Sequence, residues 1–272
     1  MDLDVLQNLS QVYEEPYPHV VIHNALPEHI YNELDANFPI NAVQSIEAVE
    51  GITHKLNTHD IEQMEVPNIW QEFCAYHTSK SHVDKCINLF QDRIKKLLGE
   101  KMFDQIIQAD IKPRRTYEDR NNDDTLITSE CQLVVHKPLP EDMTTRSVHL
   151  DNPGEIYAGL LYMKPKADQS TGGDFVIHQS KPVKKVKKRG GRPVDQRHHN
   201  PVKTIEYQPN TFVMFLNLPR SVHGVTPRHN AVLPRRSVNI IAEFNEYVTP
   251  QQMYYIQEQW KPKRKENQDN HP

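Results

Sequence analysis

His149-Leu150-Asp151 sets an imidazole and a carboxylate two residues apart, just ahead of the apolar run from Ile156 to Met163. On an extended strand, residues i and i+2 project from one face, so both side chains could grip a single metal ion while Leu150 turns away. Taken alone, the pair reads better as a surface contact than as a site, because two protein ligands hold a metal weakly. With fifteen histidines in the chain, a third ligand has to be chosen by its setting. His223 follows the apolar stretch Phe212-Val213-Met214-Phe215-Leu216 and a turn at Asn217-Leu218-Pro219, and it precedes Gly224, which permits close approach. Two imidazoles and one carboxylate on one side of a metal leave its remaining positions open to co-reactants.

Twelve residues beyond His223 comes Arg235-Arg236-Ser237, at the head of the apolar run Val238-Asn239-Ile240-Ile241-Ala242. An arginine there needs an anionic partner or an escape to solvent. A planar guanidinium suits a carboxylate in two-point contact. Arg235 shares a face with Ser237, its i+2 neighbour, while Arg236 is the rival for the same role.

The elements that must position these residues change in texture along the chain. Val20-Val21-Ile22 reads as a short buried strand, and Ile30, Leu34 and Phe38 form one helical stripe after Pro27, ended by Pro39. Residues 41–60 read as loop, with at most a short strand. Trp70, Phe73, Cys74 and His77 predict a second helix after Pro67. Ser81 is the candidate cap of a third, with Val83, Ile87, Phe90, Ile94 and Leu97 on one face and Gly99 past its end. Plain core packing is the favoured account of these stripes. Residues 112–128 are polar and read as a long loop. From 130 onward, strands are predicted at Cys131–His136, Glu155–Met163, Asp174–His178, Thr204–Tyr207, Thr211–Leu216, Val222–Val225 and Ser237–Phe244, broken by Pro- and Gly-containing turns. Short strands without intervening helices imply an antiparallel sandwich or barrel, with a jelly roll among the options.

Composition bounds the rest. The chain has 272 residues, enough for a substantial core. Cys74, Cys86 and Cys131 are odd in number and scattered, which argues for a reducing compartment and no disulfide framework. No apolar run approaches membrane-spanning length, and the acidic start lacks the pattern of a signal peptide, so a cytoplasmic location is expected. Residues 1–70 hold twelve acids and one base, Lys55, whereas 181–203 holds nine bases and one acid, Asp195. That basic segment interrupts two strands and reads as an exposed insertion, with His198 and His199 facing solvent. It could instead cover a substrate or meet an acidic partner. Nucleic acid is the less favoured partner, because no aromatics are interleaved for base stacking.

His149-Leu150-Asp151, then His223, then Arg235-Arg236-Ser237 resembles the HxD…H…RxS signature of the 2-oxoglutarate- and iron(II)-dependent oxygenases. The closer resemblance is to their prolyl-hydroxylase-like branch, through Asp151-Asn152-Pro153, Tyr162, Gly172-Gly173 and the lead-in Pro16-Tyr17-Pro18-His19-Val20-Val21-Ile22. It covers about 130–247, and 16–39 more loosely. It implies a mainly β (α+β) chain with N-terminal helices and a double-stranded β-helix core of jelly-roll, cupin-like type. It implies His149, Asp151 and His223 as iron ligands, and Arg235, with Ser237 and Tyr162, at the distal carboxylate of 2-oxoglutarate. Fe(II), 2-oxoglutarate and O2 are the implied cofactors, with ascorbate the candidate reductant. The expected reaction is hydroxylation of an unactivated C–H bond, with succinate and carbon dioxide as co-products. A carboxylate at 151, where related halogenases carry a small residue, favours hydroxylation. A prolyl or other protein side chain is preferred as substrate over a small molecule. A non-catalytic metal-binding jelly roll is the alternative. The expected organisation is an N-terminal helical region, 1–125, an oxygenase core, 126–248, and a C-terminal helix and basic tail, 249–272. No membrane partner is expected, and the sequence leaves the oligomeric state open.

Overall fold

The computed structural model describes residues 2–113, 125–140, 143–152, 154–180 and 199–244, and the backbone of 192–193. A long antiparallel ladder carries the architecture. Strand β4 (Ile127–His136) pairs with β14 (Arg235–Phe244) from Arg235 opposite His136 to Phe244 opposite Ile127. On the other side of β14 lies β6 (Glu155–Tyr162), then β11 (Thr211–Leu216) and β1 (His19–His23), while β2 (Thr53–Leu56) closes the β4 edge. Strand β3 (Ile111–Pro113) joins β4 in parallel. A second sheet runs β10 (His199–Ile205), β8 (Phe175–Ser180), β12 (His223–Val225), β5 (His149–Leu150) and β9 (Arg192–Pro193). A short ribbon pairs β7 (Thr171–Gly172) with β13 (Arg228–His229).

In chain order, β4, β6, β11 and β14 go to the first sheet and β5, β8, β10 and β12 to the second. The resulting orders, β11-β6-β14-β4 and β10-β8-β12-β5, are those of a double-stranded β-helix, as expected. Helices α1 (Glu28–Ala36), α2 (Ile40–Ser45), α3 (Thr58–Gln63), α4 (Asn68–His77), α5 (Lys80–Leu89), α6 (Gln91–Leu98) and α7 (Glu100–Gln108) contribute to the main core with the first sheet. Trp70, Phe73 and Ile87 are buried in one cluster with Leu133, Val135, Leu161 and Ile240. A separate cluster, Tyr17, Tyr162, Phe175, Ile177, Ile205, Tyr207, Val213 and Phe215, fills the space between the sheets. No helix among the described residues is long and apolar enough to cross a membrane.

Several expectations are corrected. The cap of the third helix is Ser79, whose side chain accepts from the His82 N–H, and not Ser81. That helix also breaks at Phe90 into α5 and α6. The stretch 41–60, expected as loop with a short strand at most, contains that strand as β2 but also α2 and the start of α3, the last held by a capping box between Asn57 and Asp60. Strand β4 begins at Ile127, so residues 127–128 are sheet, and α7 was not anticipated. Residues 199–203 of the expected insertion belong to β10, where pairing with β8 buries His199 rather than exposing it. Residues 181–191, 194–198 and the expected C-terminal helix and tail lie outside the described residues.

Candidate metal centre and anion pocket

The second sheet sets His149 directly opposite His223 in the β5–β12 pair. Asp151 lies just past the two-residue β5, so the strand geometry expected for it stops one residue short. The three side chains nevertheless converge. Nε2 of His149 is 3.3 Å from Asp151 Oδ1, and Nε2 of His223 is 3.3 Å from Asp151 Oδ2. All three ligand atoms lie within 4.8 Å of one another.

The far side of each ring decides what converges. Nδ1 of His149 is 2.7 Å from the Ser147 carbonyl, and Nδ1 of His223 is 2.8 Å from the Ser221 carbonyl. A carbonyl only accepts, so each Nδ1 carries a proton, and in the neutral tautomer each Nε2 turns its lone pair inward. Burial, reinforced by His223, lowers His149 to about 4, which keeps its ring neutral. Two imidazole lone pairs thus face a carboxylate across a small gap. Such a set is repulsive by itself and is stabilised by a cation. Phe175 stacks on His223 at 5.1 Å and Phe215 tilts against it at 4.6 Å, which limits the ring to one orientation.

Across the cavity, the adjacent arginines part company. Arg235 points between the sheets, 2% exposed, with Nε donating to the Gly173 carbonyl at 3.1 Å. Its guanidinium lies 5.1 Å from the Tyr162 ring and 4.9 Å from the Tyr207 ring. Arg236 turns to the other face, pairs with Asp35 of α1 and donates from Nε to the Met163 carbonyl at 3.0 Å. Arg235 Nη2, the Tyr162 hydroxyl and the Ser237 hydroxyl are all buried without a partner. Burial pushes Tyr162 up to about 12 against the pull of Arg235, so its hydroxyl remains a donor at neutral pH. Tyr162 and Ser237 are opposed in the β6–β14 ladder and share the inner face.

Gly173 and Tyr17 carried the resemblance in sequence without a role in the site, and Arg228 was not singled out. Gly173, at φ +75°, lets the Arg235 and Arg228 stems pass: a Cβ there would lie 2.7 Å from Arg228 Cγ and 3.5 Å from Arg235 Cδ. Arg228 itself is consumed by Asp168 at 2.8 Å and by Ser170. Tyr17, from the lead-in, donates to the Val222 carbonyl at 3.1 Å beside His223. The overlooked signal is a repeat: Arg146-Ser147-Val148-His149 and Arg220-Ser221-Val222-His223 carry the same four residues. In both copies the serine carbonyl holds the histidine.

The sequence matches no protein-family model and no curated protein. Among solved structures, the chain is similar to a prolyl-4-hydroxylase of Pseudomonas putida, with 14% identity, a TM-score of 0.44, and coverage of 83% of this chain and 91% of that one. It is similar to a Trichoplax adhaerens prolyl hydroxylase in complex with a hypoxia inducible factor peptide fragment, at 12% identity, TM-score 0.46 and 86% coverage of each chain. The non-heme alpha-ketoglutarate-dependent carbocyclase SnoK of nogalamycin biosynthesis gives 12% identity, TM-score 0.47, and 83% and 79% coverage. These likenesses are of fold.

The donor set fits iron(II), since two imidazoles and a carboxylate are borderline-hard ligands that leave open positions. The three orphaned donors at Arg235, Tyr162 and Ser237 suit a carboxylate, which offers several acceptor positions and a charge to match the guanidinium.

Proposed function

We propose that this chain is an iron(II)- and 2-oxoglutarate-dependent dioxygenase that hydroxylates an unactivated C–H bond, with succinate and carbon dioxide as co-products. The observation that carries this reading is the pairing of two sites of opposite charge preference in one β-helix. One is the converging set His149, Asp151 and His223, whose donor atoms suit a cation. The other is a buried guanidinium beside the Tyr162 and Ser237 hydroxyls, which suits an anion. Iron(II) and the distal carboxylate of 2-oxoglutarate satisfy both.

His149, Asp151 and His223 hold the metal, and the Ser147 and Ser221 carbonyls keep both rings in the ligating tautomer. Arg235, Tyr162 and Ser237 fix the far end of the cosubstrate and so orient its near end. Phe175 and Phe215 exclude water from one side of His223. Bound together with dioxygen, iron and 2-oxoglutarate supply oxidative decarboxylation and delivery of one oxygen atom to a substrate, and the protein supplies placement. Asp151 occupies the position that a halide takes in related halogenases, which favours hydroxylation. Asn152 serves the local turn, accepting from the Gly154 N–H at 3.2 Å through Oδ1 and from Asn217 Nδ2 at 2.7 Å through its carbonyl.

A prolyl or other protein side chain is the preferred substrate, on the resemblance of Asp151-Asn152-Pro153 and its neighbours. A small polar molecule is the second reading, and one observation favours it. Lys55, Gln132, Glu130 and Asn239 line the inner face of the first sheet toward β4 and β2. Lys55 is lowered by burial while Glu130, Glu155 and Asp151 pull it back up, which puts this polar wall on the Asp151 side.

Iron(II) and 2-oxoglutarate, added without oxygen, should give a visible metal-to-ligand charge-transfer band, and admitting oxygen should release succinate. Both signals should vanish in His149→Ala. Absence of both in the parent chain would sink the enzyme reading in favour of a metal-binding jelly roll. Mass spectrometry for products one oxygen heavier, across peptides and polar metabolites with ascorbate as reductant, separates the two substrate readings.

A further inference from the structure

A second set of inward-facing donors sits on the opposite face of the first sheet, at the corner between α4 and α5. His77 ends α4, His82 lies in the first turn of α5, and Asp4 comes from the segment Leu3–Leu6 that packs against them. The three are 0%, 1% and 8% exposed, and their ligand atoms fall within 4.8 Å of one another. Nδ1 of His77 is 2.8 Å from the Phe73 carbonyl, so this nitrogen is the donor and Nε2 turns a lone pair inward. Nε2 of His82 is 3.3 Å from Cys86 Sγ, on the side away from the cluster. The inner nitrogens, His77 Nε2 and His82 Nδ1, are buried and without hydrogen-bond partners. Asp4 Oδ1 lies 3.7 Å from His82 Nδ1, too far for a hydrogen bond. Asp4 also accepts from the Leu6 N–H at 2.9 Å and pairs with Lys85, whose half-exposed ammonium is screened by water. As in the first centre, the far nitrogens are anchored and the near nitrogens converge on a carboxylate; here the near ones are also without hydrogen-bond partners.

We propose that Asp4, His77 and His82 bind a divalent transition ion of zinc's class, with a fourth position left to water, and so clip the Leu3–Leu6 segment to the α4–α5 corner. Two imidazoles and a carboxylate are ordinary zinc ligands, and a ligating imidazole commonly donates from its other nitrogen, as His77 does to Phe73. Cys86 Sγ meets the outer nitrogen of His82 at 3.3 Å and so orients that ring from the side away from the cluster.

The test uses the full chain carrying His149→Ala and His223→Ala, so that the first centre cannot contribute. Stripped of metal and titrated with zinc against a chromophoric chelator, it should bind one tight equivalent and melt at a higher temperature with zinc than without. Cobalt(II) in place of zinc should give the intense visible bands of a four-coordinate site. Asp4→Asn and His82→Gln, which keep side-chain volume, should each abolish the equivalent, the melting shift and the bands. No tight zinc and no melting shift with the cluster intact overturns the proposal. So does a tight equivalent that both substitutions leave unchanged. Because the shift and the bands are read with the cluster intact, they decide the matter even where a substituted chain fails to fold.

Discussion

Arg235→Met tests the anion pocket where the structure is most demanding. In the ligand-free chain the guanidinium is 2% exposed, with a buried Nη2 that has no partner. Its compensation is the Gly173 carbonyl at 3.1 Å and two tyrosine rings about 5 Å away. A carboxylate entering the pocket would turn an under-satisfied cation into half of a charge-assisted pair. Removing one partner of such a buried pair costs about 2–5 kcal/mol. A loss of about 3 kcal/mol, within that range, is roughly a hundredfold in the Kd for 2-oxoglutarate. The folding ledger differs, because methionine fills similar space, loses ring contacts of about 1 kcal/mol and relieves the orphaned donors. The ligand-free melting temperature should therefore stay within a few degrees of the parent, while the upward shift produced by iron with 2-oxoglutarate disappears. The assay is anaerobic titration of the charge-transfer band, beside thermal melts with and without cosubstrate. Arg236→Met is the matched control. It breaks the pair with Asp35 and the bond to Met163, so it should cost about 2 kcal/mol of stability with the Kd unchanged. A Kd within threefold of the parent in Arg235→Met, or a loss in Arg236→Met as large, refutes the pocket.

Three further outcomes are expected. Tyr162→Phe removes a buried hydroxyl without a protein partner, so the melting temperature should hold or rise while the 2-oxoglutarate Kd weakens about fivefold, the worth of one hydrogen bond of about 1 kcal/mol. Gly173→Ala places a Cβ 2.7 Å from Arg228 Cγ at φ +75°, and chemical denaturation should show a loss of at least about 1–2 kcal/mol together with weaker cosubstrate binding. His136 is held well below its ordinary value of 6.5, first by burial and then by Arg235. The unfolded chain therefore takes up the proton first, and stability falls as pH drops below about 6.5. His136→Gln should flatten that slope between pH 6.5 and 5, and a slope identical to the parent's would remove His136 as its source.

The candidate metal ligands could be singled out in the sequence because a β-helix presents them through short-range spacing and strand context. The helical stripes were legible for a similar reason: Ile30, Leu34, Val83, Ile87 and Ile94 each bury one side against a sheet. Legibility failed where the first sheet is covered on both faces. In β4 the outer residues Ile127, Cys131, Leu133 and Val135 join the helical core, whereas Thr128, Glu130 and Gln132 line the cavity. A cavity wall built for polar contents breaks the apolar run by which a doubly covered strand is usually recognised. The head of β4 therefore read as loop, and β2, whose Lys55 faces the same space, left only a faint trace of a short strand. His199 failed in the opposite way, since a basic neighbourhood in sequence concealed a strand that pairs with β8.

The choice between Arg235 and Arg236 shows where reading a sequence must stop. Neighbours on a strand point to opposite faces, so one of the two arginines had to enter the cavity and the other had to meet the helices. Nothing local decides which, because a slip of one residue exchanges every side chain between the faces. The decision is made by partners distant in the chain. The β4–β14 and β6–β14 ladders place Ser237, and hence Arg235, on the face of Tyr162. Asp35 of α1 then meets the outward guanidinium of Arg236 over the Phe38 ring at 4.7 Å. A slip of β14 by one residue would bring Arg236 into the pocket, strand Asp35 without its cation and turn Val238 and Ile240 out of the core toward the polar cavity. Losing two buried aliphatic side chains alone costs about 3–6 kcal/mol, far more than either arginine could recover. The register that turns Arg235 toward Tyr162, and so orients the proposed anion pocket, is thus enforced by the apolar face behind it.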